Sequence, residues 1–468
     1  MRRLLPISLL TLLAGICPGA KVSAPDTRLK AAYRLAPRNG WTFVHLEGAP
    51  GEIGYQHGWL LAKEIQNGFE VQKLETEHDT KKPWTFFRDG AQHMLWAQIP
   101  DEYRQELEGI TAGLNARGIA LDIWDVVALN ASMEWSYYTQ KYDKDHGIKP
   151  PTTATGPDHC SAFVATGSFT KDGRIVIAHN NWSNYLDGER WTYVFDVAPA
   201  HGRRFVMDGY PGLIHSGDDF GINDAGIAIT ETTITGFQGW DANGTAEFVR
   251  ARKAMQYAGS IDDFDRIMRD GNNGGYANNW LVADNKTNEI ASLELGLKNI
   301  ELRRTKDGYF TGANFPVNPK LLKEETSFNA ADPSLSANAR RARWEELMSR
   351  NKGRIDAAMA KKFLADHYDV VAKRTQPSER TLCGHVDLSP RGMGDWKGPY
   401  EPAGTVQNKV ADAAMVAKLS FDAAAGHACG LHFKARPLLA AHPEYRWQQA
   451  LLGDMDSRRW TVFRADRK

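Results

Sequence analysis

Cys160 stands at the head of a run whose residue types suit nucleophilic chemistry. Residues 161–166 and 174–179 are apolar, β-leaning stretches joined through Lys171-Asp172-Gly173, a hairpin signal. A turn near Asp172 pairs the stretches antiparallel and sets Cys160 opposite residues 179–184, His179-Asn180-Asn181-Trp182-Ser183-Asn184. A thiol, an imidazole and several amides then meet at one end of two neighbouring strands. A thiol nucleophile needs such company: a group that takes its proton, and N–H donors for the oxyanion that forms on the attacked carbonyl. The competing reading is a structural hairpin whose polar end faces water.

Cysteine parity bears on the same residue. Met1-Arg2-Arg3, an apolar stretch over 4–16 and the small residues around Val22-Ser23-Ala24 read as a signal peptide over residues 1–24. Its removal takes Cys17 away, and Ile16 before that cysteine argues against lipid attachment there. The mature, secreted or periplasmic chain keeps Cys160, Cys383 and Cys429, so one thiol is odd. Cys383 and Cys429 are expected to pair, a link that typically stabilises by about 2–4 kcal/mol. Cys383-Gly384-His385 and His427-Ala428-Cys429 also approach a zinc pattern. Their spacing matches no standard finger, and export favours the disulfide. No Gly-x-Ser-x-Gly elbow, Walker-type glycine loop or His-Glu-x-x-His competes with Cys160. Neither a metal nor a cofactor is expected.

The elements that must position these residues change character along the chain. Residues 25–159 read as mostly helical, with apolar residues at helical spacing over 53–69, 102–115 and 122–135. A Gly/Pro-rich linker over 142–158 follows and ends at His159-Cys160. Beyond it, strands alternate with turns: 220–222 with 227–232, then 280–283 with 290–295. Helices are expected over 248–258, 260–269 (Ser260 as N-cap), 338–350 and 355–366. Without steady β-α-β alternation this is an α+β layered fold. Lys+Arg and Asp+Glu both number 57, so the chain lacks the basic footprint of a nucleic-acid binder and any acidic tail. No stretch after the signal is long and apolar enough to span a membrane.

His159-Cys160-Ser161-Ala162 followed by Ala178-His179-Asn180-Asn181-Trp182 resembles the phospholipase B-like family of N-terminal-nucleophile hydrolases. Ser216-Gly217-Asp218-Asp219-Phe220, Glu231-Thr232-Thr233-Ile234 and Tyr276-Ala277-Asn278-Asn279-Trp280 agree in order and spacing. Gly51-Glu52-Ile53-Gly54-Tyr55-Gln56-His57-Gly58, Glu106-Leu107-Glu108-Gly109-Ile110 and Asn338-Ala339-Arg340-Arg341-Ala342-Arg343 look more like the related isopenicillin N acyltransferase-type proteins. The resemblance implies a four-layer αββα sandwich and self-cleavage between His159 and Cys160. Residues 25–159 would stay bound to the catalytic portion, 160–468. Cys160 would then act on acyl esters of phospholipids. Amide hydrolysis or acyl transfer is the alternative, and a non-catalytic exported binding protein is the reading from another class. It also implies roles: His179 as polar partner of the thiol, Asn279 as oxyanion donor with Asn278 as substitute, and Asp218 and Thr232 orienting the new amine and lining the pocket. Trp182 would form a substrate wall, and Arg340, with Arg343 one turn on, would bind an anionic part of the substrate. For each, a plainer structural role competes: core packing for Trp182, hairpin turns for Asp218 and Thr232, a solvated helix face for the arginines.

Overall fold

The computed structural model describes residues 26–149, 160–217, 220–389, 391 and 402–465. Two large sheets dominate it. The first is nine-stranded, in the order β1 (Tyr33–Arg34), β2 (Thr42–Gly48), β5 (Tyr193–Pro199), β6 (Phe205–Gly209), β7 (Gly221–Asn223), β8 (Ile227–Thr233), β9 (Asn278–Asp284), β10 (Glu289–Leu295) and β11 (Ile300–Thr305). The second is six-stranded, in the order β12 (Gly308–Gly312), β3 (Cys160–Thr166), β4 (Val176–Asn184), β15 (Ala403–Asp412), β16 (Ser420–Ala425) and β17 (Thr461–Arg464). A two-stranded ribbon joins β13 (Tyr368–Asp369) to β14 (Arg374–Thr375).

Side-chain alternation explains how the sheets stack. On β3, Ala162 and Val164 point one way and Phe163 and Ala165 the other, as the two-residue period of a strand requires. The first pair joins Ile177 and Phe421 in a core shared with Trp41, just before β2, and with Val206 and Leu281 of the nine-stranded sheet. Phe163 and Ala165 pack with Trp344 and Phe363, from the helices Ser336–Arg350 and Ala357–Leu364. The far face of the large sheet buries Phe195, Met207, Ile229 and Trp280 against Ile65, Leu107, Phe248 and Ile267 of its own helical layer. The order is therefore helix, sheet, sheet, helix: the expected αββα sandwich. Among the described residues no helix is long and apolar enough to cross a membrane.

The three hairpins form where turn chemistry placed them. Asn223 caps the turn into β8 by accepting from the Ala225 and Ile227 N–H groups, and Ser260 caps the helix Ile261–Arg269 by accepting from the Asp263 N–H. The 53–69 stretch is not one helix but two, Pro50–Leu60 and Ala62–Thr80, broken at Leu61 (φ −117°, ψ 23°). Residues 26–149 are also not purely helical. They supply β1 and β2, and β2 runs parallel to β5 from Thr42 opposite Tyr193 to Gly48 opposite Pro199. The segment before the linker is thus sewn into the large sheet. The glycines of Gly51–Gly58 and of Gly109 have a steric reason. A Cβ at Gly54 would lie 1.9 Å from the Glu106 carbonyl oxygen, and one at Gly109 2.4 Å from that of Gly51. Helices Pro50–Leu60 and Asp101–Ala116 cross at backbone contact, which only glycine permits.

Candidate active site

β3 pairs with β4 in the inferred register, with Cys160 opposite Asn181 and Ala162 opposite His179. Cys160 is buried, 3 % exposed. Its backbone is held from both sides. The Cys160 N–H donates to Asn314 Oδ1 at 2.9 Å, and Arg340 Nη1 donates to the Cys160 carbonyl at 2.5 Å. Arg340 also donates to Asn314 Oδ1 (3.1 Å), Ser161 Oγ (3.2 Å) and Ser336 Oγ (2.9 Å), and its guanidinium lies 4.4 Å from the centre of the Trp182 ring. The Cys160 thiol faces Asn181 Oδ1 at 3.8 Å.

The thiol, an imidazole nitrogen of His179 and a carboxylate oxygen of Glu231 lie within 4.8 Å of one another, all buried. Burial first, and the positive charge of Lys409 second, hold His179 well below the ordinary imidazole pKa. His179 is therefore neutral at neutral pH, the state in which it can accept a proton. Lys409 is its cross-strand neighbour on β15 and pairs with Asp208 of β6 at 2.9 Å, with neither side chain exposed. Gln407 and Ser216 donate to the same carboxylate at 2.6 and 2.8 Å. Glu231 accepts from the Tyr276 hydroxyl at 3.0 Å. With its amide nitrogen turned inward, Asn278 donates to the other Glu231 oxygen at 2.9 Å.

Two amide donors stand ready nearby. Asn279 lies across the ladder from Thr232, and β3 packs against both β8 and β9. Ser292 donates to Asn279 Oδ1 at 2.7 Å, which fixes the amide so that its Nδ2 is buried without a partner. Asn181 Nδ2 is likewise buried and unpartnered. A buried N–H left unmet costs about 1–3 kcal/mol, so these two groups, on β4 and β9, ask for an acceptor. An oxyanion is one. Thr232 faces Gly312 of β12 closely enough that a Cβ there would lie 2.4 Å from its hydroxyl. It lines the gap between the sheets.

Two residues of the cluster carry backbone strain. Asn314 (φ 67°) and Tyr276 (φ 52°) both adopt left-handed conformations. Asparagine tolerates this, but a buried tyrosine does so at about 1–3 kcal/mol. Both side chains are thereby delivered to the Cys160 cluster.

Two expectations need correction. Arg340 is 1 % exposed and fully engaged with the head of β3, so it positions the thiol strand rather than presenting a free cation to a substrate. Arg343 is paired with Asp366 at 2.7 Å. Cys383 and Cys429 are not joined by a disulfide; both are free thiols. Each sulfur instead faces His385 Nε2, at 3.6 and 3.5 Å. Trp182 is buried, packed among Arg340, Gly384 and Val386. His159, Asp218, the 1–24 signal and most of the linker fall outside the described residues.

Asn314 was invisible to sequence reasoning because it lies 154 residues from Cys160. Its only local sign is the Gly312-Ala313-Asn314 turn that ends a strand. Glu231 could have been found: a carboxylate at an inner strand position beside Thr232 and Thr233 needs a buried partner.

The phospholipase B family model matches residues 70–296, a span that holds Cys160, His179, Glu231 and Asn279. A functionally undescribed protein of Archaeoglobus fulgidus is 27 % identical over 337 residues, 69 % of this chain and 55 % of its own. Phospholipase B-like 1 of Caenorhabditis elegans is 32 % identical over 304 residues, 55 % of this chain and 51 % of its own. Human phospholipase B-like 2 is 30 % identical over 155 residues, 30 % of this chain and 26 % of its own. The chain spans about half the length, or less, of the curated relatives it matches. Among solved structures, a mutant conjugated bile acid hydrolase from Clostridium perfringens aligns over 56 % of this chain and 88 % of its own, at 11 % identity and a TM-score of 0.33. By sequence, this chain is similar to the phospholipase B-like proteins.

Proposed function

We propose that the chain is an exported hydrolase that cuts itself between His159 and Cys160 and then uses Cys160 as an N-terminal nucleophile on acyl esters, phospholipids foremost. One observation carries the reading: a buried thiol, a neutral imidazole and a carboxylate lie within 4.8 Å of each other at a strand head whose backbone is clamped on both sides. A structural hairpin end has no need of that arrangement, and burying it is costly.

In self-cleavage the thiol proton passes to His179, and sulfur attacks the carbonyl carbon of His159. The tetrahedral oxyanion takes hydrogen bonds from the Asn279 and Asn181 amides. The C–N bond breaks, nitrogen collects the proton, and a thioester remains. Water hydrolyses it to the His159 carboxylate and a free Cys160 thiol. The new α-amine, with an ordinary pKa near 7.7–8.0, then stands as general base for its own thiol. Asn314 Oδ1, already the acceptor for this nitrogen, keeps the amine oriented. In turnover, sulfur attacks an acyl ester, the alcohol leaves with a proton from the amine, and water releases the fatty acid. An amide substrate or a non-water acceptor uses the same thioester, so amide hydrolysis and acyl transfer share this site.

The test is intact mass and N-terminal sequencing of the purified protein beside Cys160→Ala. The expected result is two associated fragments, one beginning at Cys160, in the wild type and one uncut chain in the variant. Uncut chain in both, after long incubation, would sink self-activation and favour an exported binding protein.

A further inference from the structure

The sulfurs and imidazoles of the correction above form a second centre. His367 follows the helix Ala357–Leu364, Cys383 and His385 precede the short turn Val386–Leu388, and Cys429 lies beyond β16. Their four ligand-type atoms lie within 4.8 Å of one another. His367 Nε2 is 3.2 Å from His385 Nε2, which is 3.6 Å from Cys383 Sγ and 3.5 Å from Cys429 Sγ.

Hydrogen bonding does not account for this. An imidazole nitrogen offers one N–H or one lone pair, yet His385 Nε2 has three polar neighbours within 3.6 Å. A cation at the centre accommodates all of them. With Zn–S about 2.3 Å and Zn–N about 2.0–2.1 Å at tetrahedral angles, the edges come to about 3.6 Å for S···N and about 3.3–3.4 Å for N···N. The three measured separations fall within a few tenths of an ångström of those edges. Two thiolates and two imidazoles in tetrahedral array are a zinc set, while magnesium and calcium prefer oxygen. The surroundings are also prepared: the Leu431 N–H points at Cys429 Sγ at 3.5 Å, and the Cys383 N–H is tied to the Asp366 carbonyl at 3.1 Å. Cys383 is buried, while Cys429 and His367 are only partly buried.

We infer that His367, Cys383, His385 and Cys429 bind one zinc ion, separate from the Cys160 centre. Its role follows from Gly384, between two of the ligands. A Cβ at Gly384 would fall 2.1–2.3 Å from three atoms of the Trp182 indole, so the ligand loop lies flat on that ring. The same loop is fastened to β15 by paired hydrogen bonds between Gly384 and Thr405, both 3.0 Å. Zinc would pin three chain segments together and hold the Trp182 ring against Arg340.

The full chain, purified under reducing conditions and given zinc chloride, is to be weighed by native mass spectrometry and assayed for metal. One zinc per chain is expected in the wild type and in Cys160→Ala. Cys383→Ser and Cys429→Ser should each weaken zinc retention by at least roughly tenfold. As either variant can fail to fold, cobalt loaded into the wild type supplies a second readout: tetrahedral d–d bands together with thiolate-to-cobalt charge transfer. The inference is overturned by substoichiometric zinc in the reduced protein, by zinc retained in both serine variants, by cobalt spectra without thiolate bands, or by copper or iron as the metal held. A non-reduced mass lighter by two hydrogens, with no bound metal, would restore the disulfide.

Discussion

Lys409→Met is the perturbation that most directly tests how the two sheets are held beside the thiol. Lys409 and Asp208 come from opposite sheets, are both fully buried and meet at 2.9 Å. Without the lysine, the Asp208 carboxylate keeps the Gln407 and Ser216 donors but loses its counter-charge. Breaking one side of a buried ion pair costs about 3–5 kcal/mol, because the remaining charge stays desolvated. Against a total stability of about 5–15 kcal/mol, that is about a fifth of the fold at the least. Adding Asp208→Asn removes the stranded charge while keeping an acceptor for Ser216. The double variant should therefore recover at least half of the loss. Both are compared in a Cys160→Ala background, so that the chain stays single and urea unfolding is read with one slope. A catalytic readout accompanies the stability one. The Lys409 charge helps hold His179 neutral. Its removal lets the imidazole protonate at higher pH, so the acid limb of self-cleavage, in the Cys160 protein, moves upward. A single-variant loss below about 1 kcal/mol, or a double variant no better than the single, would refute the idea that this pair is a committed buried charge.

Asn314→Ala removes the acceptor of the Cys160 N–H and one guanidinium N–H, and the donor to the Thr233 carbonyl (2.9 Å). Each buried group left unmet costs about 1–3 kcal/mol. Self-cleavage followed by gel over time should slow at least roughly tenfold, the equivalent of about 1.4 kcal/mol in the barrier, while Asn314→Asp, which keeps the acceptor, should retain more of the rate; equal rates in all three proteins would remove Asn314 from the mechanism. Gly384→Ala must push the loop off the Trp182 ring, and overpacking of this kind costs about 1–3 kcal/mol; an unchanged melting temperature would show that the loop yields freely. His57 is held by burial down to a pKa of about 3 and accepts from the Gly212 N–H at 3.0 Å. A depressed imidazole gives stability that is full above its unfolded pKa near 6.5 and is lost as pH falls toward about 3. At pH 5 the loss is about 2 kcal/mol. His57→Gln should therefore lose about 2 kcal/mol less than wild type between pH 7.5 and pH 5, and parallel slopes in urea titrations would contradict it.

What was legible in the sequence was what rests on local chemistry. Lys171-Asp172-Gly173 fixes a turn, the turn fixes the pairing, and the pairing puts Cys160 against Asn181 and within two residues of His179. Nothing beyond residue 184 was needed for that. The remainder depends on distant chain meeting distant chain. The N-terminal stretch read as helical because β1 is only two residues long and β2 is followed by periodic helices; β2 becomes a strand through parallel pairing with β5, about 150 residues on. Arg340, on the Ser336–Arg350 helix, was expected to bind an anionic part of the substrate, with a solvated helix face as the plainer alternative. Its true environment is set by Asn314, the Cys160 carbonyl and the Trp182 ring, from the loop after β12, from β3 and from β4. The cysteines fail for a related reason. Parity and export argue for a disulfide, but neither consideration contains His367, which lies 16 residues before Cys383 and outside any finger-like spacing. Ligand spacing in standard fingers reflects one compact hairpin–helix unit. Here three separate loops are brought together by the six-stranded sheet and its outer helices, so the ligand set is a product of the fold and is not written as a motif. The candidate site obeys the same logic from the other side: the proposed nucleophile is local, and the residues that surround it arrive from across the sandwich.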